Sequence, residues 1–247
     1  MKIFVFQDIH SNIEALTAIE NTDDYQNADV RVFLGDLIGL GPDCQECVDK
    51  IKTMDTVKLM GNHDYWICDH IGIKELYKCD IEKITHEQHF RKMLSKEDKD
   101  YIKTFKKDYY IKIQGKTFYF THFKWVSEED TMHAPHRDND ELDELFKDIK
   151  ADYVIYGHEH DPSVHITSKK TYVTFGSSGI THPGYYGVID IDDNGKVTIE
   201  QKTIDYDVEA VEERIKEYQY PFYWKFITFY RCEKFVIDIN DKLKLIN

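Results

Sequence analysis

Five short apolar runs in this chain each end in residues that bind metal ions. Lys2–Gln7 leads into Asp8-Ile9-His10, Val30–Leu34 into Gly35-Asp36, and Val57–Met60 into Gly61-Asn62-His63-Asp64. Phe118–Phe120 leads into Thr121-His122, and Tyr153–Tyr156 into Gly157-His158-Glu159-His160. Runs of this length, rich in β-branched and aromatic residues, read as buried strands. In an open α/β sheet, ligands bind in the crevice beyond the carboxyl ends of the strands. Asp8, His10, Asp36, Asn62, His122, His158 and His160 are therefore delivered to one edge. That is enough ligands for two metal ions, and it points to a bimetallic hydrolase.

The spacing sharpens this. Asp8/His10 and His158/His160 are both i, i+2 pairs, which at the end of an extended segment place two side chains on one side. A carboxylate can bridge two cations through its two oxygens, and Asp36, central in the ligand order, is the natural bridge. The donors are nitrogen and oxygen with no thiolate. That suits manganese, iron, cobalt or zinc in a catalytic site, with manganese or iron favoured, and not a closed structural zinc. Two such ions about 3.5–4 Å apart lower the pKa of a bridging water and clamp phosphoryl oxygens during in-line displacement.

A chain of 247 residues with 41% hydrophobic and 14% aromatic content can bury a substantial core. The formal net charge of -14 disfavours non-specific nucleic-acid binding, because an acidic surface repels phosphate backbones. Bound cations would still receive a small anionic substrate. Met1-Lys2 runs directly into the first strand, and no later stretch approaches a membrane span, so a cytoplasmic protein without a membrane partner is expected. The five cysteines are few and irregularly spaced for a disulfide framework. Cys44 and Cys47 form a C-x-x-C behind Asp43, which reads as a helix N-cap, and structural packing is the better reading of the pair.

No repeat or linker divides the chain, so residues 1–247 are expected to form one domain. Ser11-Asn12-Ile13-Glu14 reads as a capping box opening a helix with Ile13, Leu16 and Ile19 on one face. Gly39-Leu40-Gly41-Pro42 reads as a turn before a helix carrying Val48 and Ile51. The alternation of strand and helix implies a parallel sheet covered by helices. Residues of about 65–107 read as a helical cap insertion over the crevice, with Thr85-x-x-Gln88 and Ser95-x-x-Asp98 as helix starts. Residues 124–139 form a polar loop leaving the His122 strand end. Strands follow at Tyr172–Phe175, Tyr186–Ile191 and Lys196–Ile204, the last two joined by an Asp193-Asn194-Gly195 hairpin turn. Residues 206–247 form a C-terminal extension that begins as an amphipathic helix carrying Val208, Val211 and Ile215.

The ordered motifs D-x-H, G-D, G-N-H-D, a lone His and G-H-x-H resemble the calcineurin-like metallophosphoesterase superfamily. Within it the chain is similar to the small bacterial and archaeal phosphoesterases that begin S-D-I-H-G-N and contain L-G-D-x-x-G-x-G-P. The stretches here are Gln7-Asp8-Ile9-His10-Ser11-Asn12 and Leu34-Gly35-Asp36-Leu37-Ile38-Gly39-Leu40-Gly41-Pro42. The resemblance implies an α/β fold in which two mixed β-sheets pack as a sandwich flanked by helices. It implies one metal on Asp8, His10 and His160, a second on Asn62, His122 and His158, and Asp36 between them. It implies further that His63 contacts the substrate phosphate and assists the leaving oxygen, with Asp64 orienting that imidazole. Two stretches depart from the family pattern. His122-Phe123-Lys124-Trp125 replaces His-Gly-Ser/Thr-Pro, and Phe175-Gly176-Ser177-Ser178-Gly179 replaces Asn-Pro-Gly-Ser. Neither removes a ligand, and both are expected near the substrate.

His165 and His182 lack a partner pattern and read as surface or supporting residues, and Cys68-Asp69-His70 as packing. Tyr65, Trp66 and Trp125 suit core or lid packing better than stacking on a base. Lys124, His133, His136 and Arg137 form the basic cluster next to a ligand strand, and Lys124 and Arg137 are the candidates for holding a second phosphate. Cap and loop together would enclose a pocket for a small soluble phosphoester, such as a nucleotide. No glycine-rich P-loop is present. The alternatives are a non-catalytic interaction module on the same fold, as in one retromer subunit, a phosphoprotein phosphatase, and a nuclease, which the charge disfavours.

Overall fold

In the computed structural model, residues 1–68, 88–125, 138–218, 227 and 239–246 are described. The first strand, β1 (Lys2–Phe6), sets the architecture. Ile3 and Val5 point to one face and Phe4 and Phe6 to the other, and all four are fully buried. A strand buried on both faces must lie between two layers. One face meets helices: Phe4, Phe6, Phe33 and Val188 pack with Leu16, Ile19, Val48, Ile51, Val211 and Ile215. The other meets a second sheet: Ile3, Val5, Val32 and Leu34 pack with Phe118, Phe120, Ile155 and Val173.

Sheet one joins β1 in parallel to β2 (Val30–Phe33), which pairs in parallel with β3 (Val57–Lys58). Sheet two contains β4 (Asp108–Ile113), β5 (Lys116–Thr121), β6 (Tyr153–Tyr156), β7 (Ser163–Ile166) and β8 (Thr171–Thr174). β9 (Gly184–Ile191) and β10 (Val197–Ile204) complete sheet one, giving the orders β10-β9-β1-β2-β3 and β4-β5-β6-β8-β7. Both sheets are mixed: β5, β6 and β8 run parallel, while β4, β7, β9 and β10 add antiparallel edges. Among the described residues the α-helices are α1 (Ile13–Glu20), α2 (Asp23–Gln26), α3 (Cys44–Thr53), α4 (Asn62–Ile67), α5 (Lys96–Ile102), α6 (Asn139–Leu145), α7 (Val208–Glu217) and α8 (Asn240–Leu243). Leu142 and Phe146 cover the outer face of sheet two on Tyr119, Val154, Tyr156 and Tyr172. The expected sandwich of two mixed sheets flanked by helices is the fold observed. Among the described residues, no helix is long and apolar enough to cross a membrane.

Several local expectations change. Asn12, not Ser11, caps α1, its side chain accepting from the Ala15 amide, while Ser11 sits at φ 56°. Asp43 stands at the N-cap of α3 but makes no side-chain bond to its own helix. Its carboxylate accepts from the Ile13 amide at 3.2 Å and from Arg214 of α7 at 2.6 and 2.9 Å, tying three helix ends together. β3 ends at Lys58; Leu59 N–H still donates to Phe33 O of β2 at 2.9 Å, and Met60 N–H turns away to Lys106 O at 2.8 Å. β4 and β7 are additional strands. β4 turns into β5 through Gln114 (φ 48°) and Gly115 (φ 80°), a two-residue turn of the type usually signalled by Asn-Gly. The Asp193-Asn194-Gly195 hairpin forms as expected.

Described parts of the 65–107 stretch do not stand away from the sheet. Tyr65, Trp66, Ile67, Phe90, Leu94, Ile102 and Phe105 join the core between sheet one and its helices. Ser95 caps α5 as read, accepting from the Asp98 amide. Thr85, with the rest of 69–87, lies outside the described residues.

The end of the chain is built into the sandwich. Leu243 of α8 is 1% exposed in the core between the sheets, and Gln201 accepts the Ile239 amide while its backbone pairs with Asn240. Leu243→Ala should therefore cost about 2–4 kcal/mol in urea unfolding, the range for emptying a buried leucine site. A change below about 0.5 kcal/mol would mean the tail does not contribute to the core.

Candidate metal centre

Every ligand segment leaves the carboxyl end of a strand and is immediately fastened to its neighbour. Asp8 N–H donates to Gly35 O at 2.9 Å, His10 N–H to Asp36 O at 3.0 Å, and Ser11 N–H to Leu37 O at 2.9 Å. These bonds lock the segments after β1 and β2 side by side. Gly61 makes the third approach possible, because a Cβ there would lie 2.1 Å from Asp36 N and Asp36 Oδ1. Gly39 serves the imidazole, since a Cβ at Gly39 would lie 2.7 Å from His63 Nδ1. Asp8 (φ 53°), His10 (φ 49°), Asp36 (φ 58°) and His158 (φ 71°) all adopt the left-handed region. Such strain persists only where the surroundings over-determine it.

The seven predicted ligands converge. Asp8, His10 and His160 bring donor atoms within 4.8 Å of one another, as do Asp36, His122 and His158. Asp36 lies between the two groups, with Oδ2 at 3.7 Å from His10 Nε2 and 3.3 Å from His122 Nε2. Asn62 Oδ1 meets His122 Nε2 at 2.9 Å and His158 Nδ1 at 2.7 Å. Asp8, His10, Asp36, Asn62 and His122 are buried, whereas His63, His158 and His160 are half-exposed and form the open side.

The donor chemistry fits divalent cations. His122 Nδ1 lies 3.0 Å from Leu34 O, which can only accept, so Nδ1 carries a proton and Nε2 is the ring nitrogen turned toward Asn62 and Asp36. His10 Nε2 faces His160 Nε2 at 3.2 Å, and both carboxylate oxygens of Asp8 are buried without a hydrogen-bond partner. Burial, reinforced by the charge of Asp36, pushes the Asp8 carboxyl up to about 8. Burial, and then His122, lowers the His158 imidazole to about 3. Against burial, His122 holds Asp36 well below the usual carboxylate range, and Asp36 in turn raises His122. Carboxylate oxygens and imidazole nitrogens thus converge in a desolvated space, the donor set a divalent cation takes.

Residues 1–194 match the family model of the calcineurin-like phosphoesterase superfamily domain. The chain belongs to that superfamily. An uncharacterized protein of Methanocaldococcus jannaschii is 26% identical over 238 residues, covering 89% of this chain and 93% of its own. The crystal structure of a hypothetical protein from Pyrococcus horikoshii superposes with a TM-score of 0.77 at 20% identity, over 93% of this chain and 97% of that one. A metallophosphoesterase from Sphaerobacter thermophilus superposes with a TM-score of 0.70 at 16% identity, over 93% and 97% of the two chains.

Within this calcineurin-like domain, the structure redirects several expected residues. Asp64 does not spend its carboxylate on the His63 imidazole. Its Oδ2 accepts from the Asp36 and Gly61 amides at 2.9 and 3.0 Å, and its Oδ1 from the Leu37 and Ile38 amides at 2.9 and 3.3 Å. Four N–H donors fill the acceptor positions of a carboxylate, so Asp64 organises the loop of Asp36. Lys124 donates to the Asp148 carboxylate at 2.6 and 2.8 Å. Arg137, His133 and His136 lie outside the described residues, as do Asp69 and His70. His165 meets Asn139 at 2.8 Å and His182 meets Asp205 at 2.6 Å. Cys44 and Cys47 face the core on α3, where burial raises both thiols, against a redox role.

The Phe175–Gly179 stretch, expected beside the substrate, is a buried clamp beneath the ligand loops. Ser177 Oγ donates to Asp8 O at 2.7 Å, Ser177 N–H to His160 O at 3.0 Å, and Asn12 Nδ2 to Gly179 O at 2.7 Å. The sequence signal was the paired Ser177-Ser178 at a strand end, which is equally compatible with an exposed turn.

Asp64→Asn offers a direct test of its reassignment, since an amide would oppose its own N–H groups to backbone donors. Thermal stability of the metal-free chain and its capacity for divalent ions should fall together. Full stability and metal capacity with only a lower kcat would restore the imidazole-orienting role.

Proposed function

We propose that the chain hydrolyses a phosphomonoester or phosphodiester bond of a small soluble substrate, with two divalent ions held at this centre. The observation that carries the proposal is the placement of Asp36 Oδ2 between His10 and His122, where two ligand groups meet. Asp8, His10 and His160 would hold one ion, and Asn62, His122 and His158 the other, with Asp36 shared. When bound, the ions supply Lewis acidity and a nucleophile at neutral pH. Manganese or iron suits this donor set, which contains no thiolate. A cytoplasmic setting belongs to the same proposal, supported by the buried thiols of Cys44 and Cys47.

The chain's own residues divide the remaining work. Asp36 offsets the repulsion between two cations, and its Oδ1 accepts the His63 amide at 2.8 Å, so the shared carboxylate also fixes the start of α4. His63 stands on the open side with its ring edge-on to His10, centroids 4.9 Å apart, and against Trp66 at 5.1 Å. From there it protonates the departing oxygen. The buried ring of Phe123 lies tilted on Trp125 with centroids 4.5 Å apart and backs the His158 ring at 6.0 Å.

His63→Ala should leave metal content near that of the wild type and lower kcat on substrates with poor leaving groups by about 10²–10⁴, the contribution of a general acid. Aryl phosphates with good leaving groups should lose much less. An equal loss across leaving groups would assign His63 to phosphate positioning. Asp36→Ala should abolish turnover and weaken both ion sites in metal analysis. Two tightly bound ions in that variant would remove the bridging role, and a metal-loaded wild type inert toward monoesters and diesters alike would favour an interaction module.

A further inference from the structure

We propose that Gln7 is a positioning residue for the centre, its amide holding the turn that presents His158 and His160. This rests on the metal reading proposed above. Gln7 is fully buried between β1 and Asp8. Its Nε2 donates to Glu159 O at 3.3 Å and to Thr174 Oγ1 at 3.0 Å. Glu159 is the residue between the two histidines.

That turn needs holding. Glu159 N–H donates to Gly157 O at 2.8 Å across His158, whose φ is 71°. An i, i+2 bond around a residue of positive φ is a rare, strained γ-turn. Thr174 Oγ1 reaches the same Glu159 carbonyl at 3.5 Å, so Gln7 and Thr174 form a small buried network around one acceptor. The backbone of Gln7 is itself fixed, its N–H donating to Ser178 Oγ at 3.2 Å and its carbonyl accepting from Ser178 N–H at 2.9 Å. Gln7 thus ties the Asp8 segment to the His158–His160 segment through a side chain, whereas the neighbouring clamps run through Ser177 and Ser178.

The orientation of the amide is set, because Glu159 O can only accept and must face Nε2. Oε1 is left buried without a donor. A methionine would fill similar space with no orphaned oxygen, so the amide is costly for stability and useful for the turn. Supporting residues of this kind orient ligands, and their loss typically weakens metal affinity by about 10–100-fold.

The test is calorimetric titration of Mn²⁺ into the metal-stripped full chain for the wild type, Gln7→Met and Thr174→Val. Gln7→Met should raise the Kd about 10–100-fold, with the melting temperature of the stripped chain unchanged or higher. Thr174→Val should weaken binding less, because Gln7 still reaches Glu159. Wild-type affinity in Gln7→Met, or a loss of affinity matched by a lower melting temperature, would overturn the proposal and leave the metal reading intact. Should Gln7→Met fail to fold, Mn²⁺ affinity in Thr174→Val identical to wild type would overturn it as well. A wild-type chain that binds none of Mn²⁺, Fe²⁺, Zn²⁺ or Co²⁺ would instead overturn the metal reading, and this inference with it.

Discussion

The left-handed backbone at Asp8, His10, Asp36 and His158 is the constraint on which the rest of the site depends. Non-glycine residues avoid that region because Cβ crowds the following carbonyl. Among the described residues, four of the seven with positive φ outside glycine are candidate ligands, so the strain is concentrated where donor atoms must be aimed. What holds it is a mesh of buried hydrogen bonds. The segments after β1 and β2 bond to each other, Asp64 gathers four amides, Ser177 grips Asp8 and His160, and Gln7 reaches Glu159. Each bond is modest alone, and the aim of the donor atoms rests on their acting together.

This mesh can exist only because the strands beneath it are rigid. β1 is buried on both faces, with phenylalanines toward the helices and aliphatic residues toward the second sheet. β5 and β6 repeat the pattern from the other side, with Phe118, Phe120 and Ile155 inward and Tyr119, Val154 and Tyr156 under α6. Ligand segments from both sheets therefore end at one edge of a close-packed sandwich, where backbone displacement would disturb two cores at once.

Much of this was legible in the sequence, for a physical reason. A strand buried on both faces is a continuous apolar run, and its end is marked wherever a polar residue interrupts it, so the five strand-end motifs could be read directly. The first helix of the chain and the Asp193-Asn194-Gly195 hairpin carried equally local signals. β4 was not legible, because its alternating Tyr109, Tyr110, Ile111 and Lys112 resemble a surface segment and Gln114-Gly115 is an uncommon spelling of its turn. The roles of Asp43, Asp64 and Ser177 were also hidden. A carboxylate beside a helix start reads as its cap, yet Asp43 serves α1 and α7, and Asp64 accepts the Gly61 amide of its own helix start while also gathering the loop of Asp36. Partners such as Ile38 of Asp64 and Arg214 of Asp43 lie 26 and 171 residues away, and nothing in local spacing reports them.

The charge balance closes the argument about where the chemistry can sit. A chain with formal charge -14 gives an anionic substrate little reason to approach most of its surface. Lys124 does not alter this, since Asp148 neutralises it. The centre is different because its anionic groups, Asp8, Asp36 and Asp64, are buried beneath the rim, while the half-exposed groups above them are imidazoles. Cations placed between those layers would be shielded from the acidic surface below and open to an anion only past His63, His158 and His160. Three of the buried residues, Asp8, His10 and Asp36, and one rim residue, His158, are held in left-handed backbone. Positioning is performed below, where bonds are desolvated and strong, and in the proposed reaction exchange of substrate and product would take place above.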